Sequence, residues 1–370
     1  MQNPIKQHYI PRSYLKNFAL EGKKGKQFVD VYKLDDKILL KNINTKDICF
    51  KKNIYTIPAE LDETKYALEK HYAEHVDSEF PKIYKLLTDE NVLVVTHKQK
   101  KQILYVFLSL YFRTPKILNL QNEFNNEIFD TAAYTVDENG LIKMDLYGEK
   151  IKFHINDIEQ IKKNYSERSR ISFLVNHLEQ WPQFVEYKND CTINIIKISD
   201  SDAPLITCDN PVIIRHMVTN KFCDIYDVNS VITIPLDPIH FIEIHPNKYA
   251  TGQTRINRIT QDSDYVFTTN TMTQENAEML LIGYKGTIEK YFQIQKTYEN
   301  LTNANELEAK ARFKAEQSLE LLKLAENEGA ASKIFINKLK ELLKHPHFKD
   351  DSQLLRFKKI LSIKCKWLSI

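Results

Sequence analysis

The stretch from residue 205 to residue 214 has the sequence LITCDNPVII, in which an acid, an amide and a proline separate two apolar runs. Pro211 cannot donate a backbone hydrogen bond and disfavours helical geometry in the residue before it, so we expect a turn or a bulge there. Asp209 and Asn210 then stand at the end of a buried strand. Their short side chains either bond nearby backbone or point together into a cleft, and the segment alone leaves both interpretations open.

Short apolar runs rich in β-branched residues surround this stretch and follow one another without intervening helices. Such spacing predicts an antiparallel or mixed sheet. A Rossmann fold is not expected, because the chain has only 8 glycines and no GxGxxG segment. The predicted strands are Ile193 to Ile198, Leu205 to Cys208, Val212 to Ile214, Val231 to Ile234, and Phe241 to Ile244.

Apolar residues that recur every three or four positions predict long amphipathic helices on both sides of the strand-rich region. Together with the sheet they predict an α+β fold, in which a mixed or antiparallel sheet is flanked by long helices. The predicted helices are Glu63 to Leu87 with a kink at Pro81 as one alternative, Lys98 to Arg113, Lys116 to about Ala133, Ile158 to Tyr187 with a break at Trp181-Pro182 as one alternative, and Thr273 to about Ile294.

The last part of the chain has a different texture. Glu- and Lys-rich segments carry a narrow apolar stripe, and two further helices are predicted from Ile334 to Leu343 and from Leu354 to Leu361. We therefore expect a main domain over 1–300 and a helical C-terminal appendage over 301–370. Amphipathic helices of this kind are common docking surfaces, so a protein partner is expected there.

Composition limits the classes of function. The chain has 370 residues, 42% of them hydrophobic, and a net charge of +3, which is too small to indicate nucleic acid without a local patch. Its five cysteines form no CxxC pair, the N-terminus lacks an apolar signal segment, and no apolar run is long enough for a bilayer. A cytoplasmic protein without a membrane partner is expected.

The predicted helix from residue 63 to residue 87 contains candidate metal ligands. The segment His71-Tyr72-Ala73-Glu74-His75 formally matches the HxxEH zinc pattern, but the pattern is short and no third ligand declares itself. Zinc at His71 and His75 is therefore the weaker interpretation, and a solvated helix flank is the stronger one. Glu69 and Asp77 on the same helix are weak candidate ligands of another divalent metal.

Two further residues suggest a site far from this helix in sequence. His8 precedes a short predicted helix after Pro11, where its imidazole either faces a cleft or bonds a carbonyl. Arg113 ends the apolar helix that begins at Lys98, and in a chain with few arginines it must be solvated, paired with a carboxylate or held for an anionic ligand.

Several segments, in this order, resemble the bacterial family known as domain of unknown function 4238 (DUF4238). The similarity extends from about Lys6 to about Tyr291 and implies no activity. Cys208 stands where the family usually has serine, and a buried thiol there behaves as a small apolar group. The segments are His8-Tyr9-Ile10-Pro11 with Tyr14, Leu15 and Phe18, then Asp47 to Tyr55, Arg113-Thr114-Pro115, Thr207 to Val212, and Ile234 to Pro238.

The resemblance implies a place to look. If the family retains a histidine, an arginine and an Asp-Asn pair in otherwise apolar segments, we expect His8, Arg113, Asp209 and Asn210 to share one cleft as candidate catalytic residues. Asp209 is then also a candidate metal ligand.

Three functions follow as hypotheses. The first is a nuclease or phosphodiesterase acting in stress or phage defence, with nucleic acid or a nucleotide as partner and a divalent metal such as Mg²⁺ or Mn²⁺ as cofactor. The second is a non-catalytic binding or regulatory module, in which the His-Arg-Asp network only fixes the fold. The third is a zinc hydrolase that uses the HxxEH segment.

Overall fold

The computed structural model describes residues 6–146, 148–199, 204–246, 254–300, 304–329, 332–345, 348, 354–355 and 358. The chain divides into two compact units, which we call the main unit (Met1–Phe292) and the C-terminal unit (Gln293–Ile370). The expected α+β class is confirmed. None of the described helices combines the length and apolarity needed to cross a bilayer.

The strands are short and mostly belong to the main sheets of the first unit. They are β1 Lys6–His8, β2 Leu20–Glu21, β3 Gln27–Lys33, β4 Ile38–Asn44, β5 Phe50–Lys52, β6 Leu141–Leu146, β7 Glu149–His154, β8 Thr192–Ile198, β9 Thr207–Cys208, β10 Ile213–His216, β11 Ser230–Pro235, β12 His240–His245, β13 Ile256–Gln261 and β14 Leu280–Gly283.

The helices of the described residues differ widely in length, from 4 residues in α1 to 30 residues in α7. They are α1 Arg12–Leu15, α2 Asp62–Lys65, α3 Ala67–Tyr72, α4 Phe80–Thr88, α5 His97–Phe112, α6 Pro115–Ala133, α7 Ile158–Tyr187, α8 Ser263–Asn276, α9 Thr287–Asn300, α10 Ala304–Glu328 and α11 Lys333–Lys344, with a π-helical turn at Ala73–Asp77 and 3₁₀ turns at Lys16–Phe18, Lys23–Gly25, Thr45–Asp47 and Ile155–Asp157.

One five-stranded sheet, in the order β10-β11-β12-β8-β13, is mixed, because β13 runs parallel to β8 and the other pairs are antiparallel. Side chains alternate between its two faces. Ile195 and Ile242 belong to the large core that also contains residues of α5 and α7, whereas Ile196 and Phe241 pack with Val266 of α8. Both faces are therefore buried over most of the sheet.

A second sheet, in the order β2-β3-β14-β9 with β4 on β3, corrects one prediction. The helix predicted from Thr273 to about Ile294 is wrong: α8 ends at Asn276, β14 follows, and α9 begins at Thr287. An apolar run of this length cannot be assigned to helix or strand by periodicity, and here it becomes the strand between β3 and β9.

Two other predicted helices differ from the structure in continuity. The helix predicted from Glu63 to Leu87 is divided into α2, α3, the π-helical turn and α4. Pro81 lies in the first turn of α4 and accounts for the start of that helix. By contrast, α7 runs through Pro182 as one helix to Tyr187. The break offered as an alternative at Trp181-Pro182 is not found.

The C-terminal unit has its own apolar core, formed mainly where α10 meets α11. Leu321 of α10 packs with Phe335, Ile336, Leu339 and Leu342 of α11. The helix predicted from Ile334 to Leu343 is confirmed as α11. The helix predicted from Leu354 to Leu361 lies largely outside the described residues, and a protein partner for this unit stays a prediction.

Candidate functional site

The structure places Arg113 at the C-terminal end of α5, where its side chain is 1% exposed. Its Nη1 donates to Asp77 Oδ1 at 2.7 Å, and its Nη2 donates to the backbone oxygen of His8 at 2.6 Å. The guanidinium also stacks on the ring of Tyr72, 4.4 Å from the centroid. Burial opposes its charge, but Asp77 together with Tyr55 and Tyr72 more than compensates and raises the pKa of Arg113. The guanidinium therefore joins β1, the π-helical turn and α5.

The imidazole of His8 is half-buried and does not bind Arg113, which binds the backbone oxygen of His8. Nε2 lies 3.3 Å from the backbone oxygen of Lys46 and donates to it, because a carbonyl oxygen only accepts. Burial lowers the pKa of His8, although the hydrogen bond to Lys46 acts in the opposite direction. The ring is therefore used as a local tie between β1 and the 3₁₀ turn at Thr45–Asp47.

Asp209 follows β9 and is 2% exposed. Its Oδ1 accepts from the backbone N–H of Glu278 and its Oδ2 from that of Met279, both at 2.9 Å. The backbone N–H of Asp209 donates to Leu280 at 3.1 Å. Burial raises the pKa of the carboxyl despite these backbone donors. Asp209 thus fixes the chain where it enters β14.

Asn210 is bonded reciprocally to Asn276 at the end of α8. Asn210 Nδ2 donates to the backbone oxygen of Asn276 at 3.1 Å, and Asn276 Nδ2 donates to the backbone oxygens of Asn210 and Val212. Within the described part of the chain, no hydrogen bond or ion pair joins Asp209 or Asn210 to His8 or Arg113. The four residues predicted as one site form two separate networks.

The segments that carry the family resemblance are nevertheless tied to one another by buried hydrogen bonds. Tyr14 donates to the backbone oxygen of Pro235 at 2.8 Å and lies 2.6 Å from Thr207 Oγ1. Tyr55 donates to the backbone oxygen of Arg113 at 2.6 Å, and its own N–H donates to Gln7 Oε1 at 2.7 Å. The segments that carry the family resemblance are therefore connected to one another by buried hydrogen bonds, although they lie far apart in the sequence.

Glu69 adds an unusual carboxyl group to the Arg113 network. Its Oε2 is buried and has no hydrogen-bond partner in the described residues, as is true of Arg113 Nε. Burial raises the pKa of Glu69 to about 7, with Arg113 lowering it and Asp77 raising it. Glu69 is therefore partly protonated near neutral pH.

We expect Glu69→Gln to stabilise the protein at pH 8 by about 1–2 kcal/mol, after allowance for the partial exposure of the side chain, and to change little at pH 4.5. A carboxyl whose pKa is raised in the folded state favours folding while it is protonated. That contribution is complete below the ordinary value of 4.5 and is lost as the pH rises to about 7. Urea unfolding at the two pH values measures the effect, with exposed Glu74→Gln as control. An equal effect at both pH values would contradict it.

The residues of the HxxEH segment are not arranged as a recognisable zinc site. His71 Nε2 lies 2.8 Å from the hydroxyl of Tyr105, and the rings of His71 and His75 are 4.8 Å apart. Across the described residues, no group of three His, Cys, Asp or Glu side chains is arranged to hold a metal ion, and this includes Glu69, Asp77 and Asp209. Zinc content of the purified protein remains the direct test of this hypothesis.

A carboxylate–histidine pair that the sequence analysis missed lies at the turn between β11 and β12. Asp237 Oδ1 accepts from the backbone N–H groups of Ile239 and His240 at 2.7 and 2.8 Å. Its Oδ2 accepts from the hydroxyl of Tyr84 at 2.7 Å and lies 2.8 Å from His240 Nδ1. Four donors thus hold a carboxylate whose side chain is only 5% exposed.

The pair has a defined proton arrangement. Burial opposes ionisation of Asp237, but the hydrogen bonds from His240 and Tyr84 hold the pKa of the carboxyl below its usual value. Because the carboxylate oxygen accepts, Nδ1 of His240 carries the proton. In the neutral ring Nε2 is then an acceptor, and it has no hydrogen-bond partner among the described residues.

This imidazole lines a cavity of about 640 Å³, within the usual size range of small-molecule sites. His240 and Lys197 stand opposite each other on β12 and β8, and Thr260 is opposite Lys197 on β13. The lining residues are Glu90, Leu93, Ile195, Lys197, Ile198, Ser199, His240, Arg258, Ile259 and Thr260.

The two cations of the cavity differ in freedom. Arg258 Nη1 donates to the backbone oxygen of Leu87 at 2.8 Å, and Nε and Nη2 donate to that of Val92 at 3.1 and 2.9 Å. Among the described residues, the ammonium of Lys197, by contrast, pairs with the carboxylate of exposed Glu90 and binds no backbone oxygen. Arg258 therefore contributes a fixed positive charge, whereas the Lys197 ammonium can reach a ligand.

A similar pair on the other face of β12 does not line this cavity. His245 Nε2 lies 2.8 Å from Glu243 Oε2, and Tyr265 donates to Glu243 Oε1 at 2.8 Å. The signal in the sequence was the strand HFIEIH (240–245), in which three ionisable residues interrupt an apolar run. Two other large cavities, of about 450 and 560 Å³, are lined by neither pair. None of these three cavities is lined by His8, Arg113, Asp209 or Asn210.

Fold and site together define an α+β protein in which a histidine oriented by a carboxylate lines a cavity together with two cationic side chains, Lys197 and Arg258. The chain belongs to the family described as Protein of unknown function (DUF4238), whose family model matches residues 6–287. The resemblance drawn from the motif segments is thereby confirmed. No curated protein and no solved structure matches the chain.

Proposed function

We propose that this DUF4238 protein is a phosphodiester hydrolase that acts on nucleic acid or a nucleotide, with His240 as the group that transfers protons. One observation carries the proposal: His240, whose imidazole is oriented by buried Asp237, lines the same cavity as Lys197. A proton acceptor beside a cation is the combination that phosphoryl transfer requires. The site differs from the one predicted at His8, Arg113, Asp209 and Asn210.

The chemistry follows from the tautomer of His240. Nε2 accepts a proton from water as the water oxygen bonds to phosphorus, and the bond from phosphorus to the leaving oxygen breaks. The protonated ring then returns that proton to the leaving oxygen, so that the products are an alcohol and a phosphate monoester. Asp237 stabilises the imidazolium between the two steps, and Lys197 stabilises the charge on the phosphoryl oxygens.

The experiment compares two histidine variants of one strand. We expect the wild-type protein to cleave bis(4-nitrophenyl) phosphate or nucleic acid, and His240→Gln to lower kcat about a hundredfold. His245→Gln is the matched control, because His245 is also paired with a carboxylate but does not line the cavity. Assays with Mg²⁺, Mn²⁺ or EDTA on single-stranded and duplex substrates test the divalent metal. Full activity in His240→Gln, or no cleavage by the wild type, would overturn the proposal.

A non-catalytic binding module is the second candidate. The observation that favours it is that the side chains of Arg113 and Asp209 form hydrogen bonds that hold the fold together. Under this alternative the wild type binds nucleic acid or nucleotide without cleaving it, and His240→Gln affects affinity alone. A role in stress or phage defence is part of the first proposal and is tested by challenging cells that carry wild-type or His240→Gln protein with phage.

A further inference from the structure

We propose that Glu90 is an internal competitor for anions in the cavity of His240, and that an anionic ligand binds there by displacing the Glu90 carboxylate from Lys197. This inference rests on the proposed function, because it assumes that the cavity receives the phosphate of a substrate. It adds a device that sets the affinity of the site. The ligand is a phosphate-bearing anion, and in its absence the Glu90 carboxylate occupies the position beside Lys197 that the phosphate would take.

The first support is the position of the carboxylate. Glu90 Oε1 forms an ion pair with Lys197 Nζ, and both residues line the cavity together with His240. The hydrogen bond and charge of Lys197 lower the pKa of Glu90, and the charge of Arg258 acts in the same direction. The carboxylate thus lies in the field of the groups that would bind a phosphate.

The second support is that the backbone beside Glu90 is held while its side chain is free to rotate. Besides the bonds to Leu87 and Val92, the Arg258 guanidinium donates to the backbone oxygen of Asp89. The N–H of Asn91 donates to Asp89 Oδ1 at 3.0 Å. The Glu90 side chain itself is 63% exposed. Displacement therefore requires a change of rotamer and no movement of the loop.

The third support is the balance of charge. Among the described lining residues, Lys197 is the cation whose donors are not bound to backbone carbonyls. An exposed ion pair contributes little stability, since water competes for both partners. A phosphodiester carries one negative charge, as a carboxylate does, whereas its monoester product or pyrophosphate carries about two or more and attracts Lys197 more strongly than Glu90 does. Exchange of Glu90 for the phosphate on Lys197 is then favourable. Because Glu90 must first be displaced, the site binds the phosphate more weakly than it would if Lys197 had no carboxylate partner.

We test this with Glu90→Gln, which removes the competing charge and keeps the size of the side chain. The expected result is that inorganic pyrophosphate, measured by calorimetry at low salt, binds five- to tenfold more tightly than to the wild type. Lys197→Met should abolish binding of pyrophosphate. The matched control is Glu186→Gln, because Glu186 pairs with Lys101 at 2.8 Å with nearly the same exposure and lines a different cavity.

The outcomes separate this inference from the proposed function. Tighter pyrophosphate binding in Glu90→Gln without phosphodiester cleavage by any variant supports the inference and contradicts the function. Cleavage by the wild type with unchanged KM and pyrophosphate affinity in Glu90→Gln overturns the inference and leaves the function standing. Weaker binding in Glu90→Gln, or an equal gain in Glu186→Gln, also overturns the inference. Binding by neither wild type nor Glu90→Gln overturns it as well.

Discussion

Replacing Arg113 with methionine is expected to lower the free energy of unfolding by about 3–4 kcal/mol, near the lower end of the range for breaking a buried ion pair. The variant leaves Asp77 without its cation and the backbone oxygen of His8 without its donor. Methionine fills much of the volume beside Tyr72, so the loss reflects polar contacts more than a cavity. The value is at the lower end because the Asp77 side chain is 32% exposed and can be solvated.

Urea unfolding at neutral pH measures this change, and Arg168→Met provides the control. Arg168 is also paired with a carboxylate, Glu149, and lies over the ring of Tyr165, but its side chain is 64% exposed. We expect the control to change stability by no more than about 0.5 kcal/mol. A loss below about 1 kcal/mol in Arg113→Met would mean that the guanidinium is not a structural tie. The interpretation of Arg113 as an anion-binding residue would then regain support.

The prediction of Arg113 from sequence succeeded in one respect. An arginine at the end of an apolar helix had to be solvated, paired or held for a ligand, and the second alternative is the one found, with Asp77 as the carboxylate. The partner lies 36 positions earlier in the chain. Sequence spacing cannot reveal such a contact, because it depends on how the π-helical turn packs against the end of α5.

Local signals predicted most of the elements, whereas the candidate site depends on long-range contacts. The pairing of Asp237 with His240 is local and could have been suspected from three ionisable residues at the turn and in the strand. The contact that completes it comes from Tyr84, 153 positions away. The cavity wall also needs β13, which runs parallel to β8 and was not predicted as a strand. Periodicity gave no information on either.

The Asp-Asn pair shows how residues with functional chemistry also form structural contacts, and its predicted role in a cleft stays a prediction. Asp209 was expected to contribute to a cleft, but both of its oxygens accept from the backbone of the segment that leads into β14. The turn at Pro211 did place these side chains at a strand end, as the sequence predicted. The interpretation that short side chains there bond nearby backbone describes Asp209, although the backbone belongs to a segment about 70 positions later.

Asp209→Ala is therefore expected to destabilise the protein by about 2 kcal/mol, because it leaves the part-buried N–H groups of Glu278 and Met279 without their acceptor. These groups lie directly before β14, which pairs with both β3 and β9, so loss of their acceptor should weaken the centre of that sheet. Asp209→Asn should be intermediate, since an amide keeps one acceptor oxygen and turns an N–H₂ group toward a donor.

The control is Asp224→Ala, because Asp224 Oδ1 also accepts from a backbone N–H, that of Tyr226 at 2.7 Å, but does so at the surface. There water replaces the lost acceptor, and we expect a change below about 1 kcal/mol. Chemical denaturation of the three variants, with hydrogen exchange at the Met279 amide, measures both the global and the local effect. If Asp209→Ala unfolds like the wild type and the Met279 amide keeps its protection, then the carboxylate does not hold β14. Asp209 would in that case be available for the ligand-binding role first predicted for it.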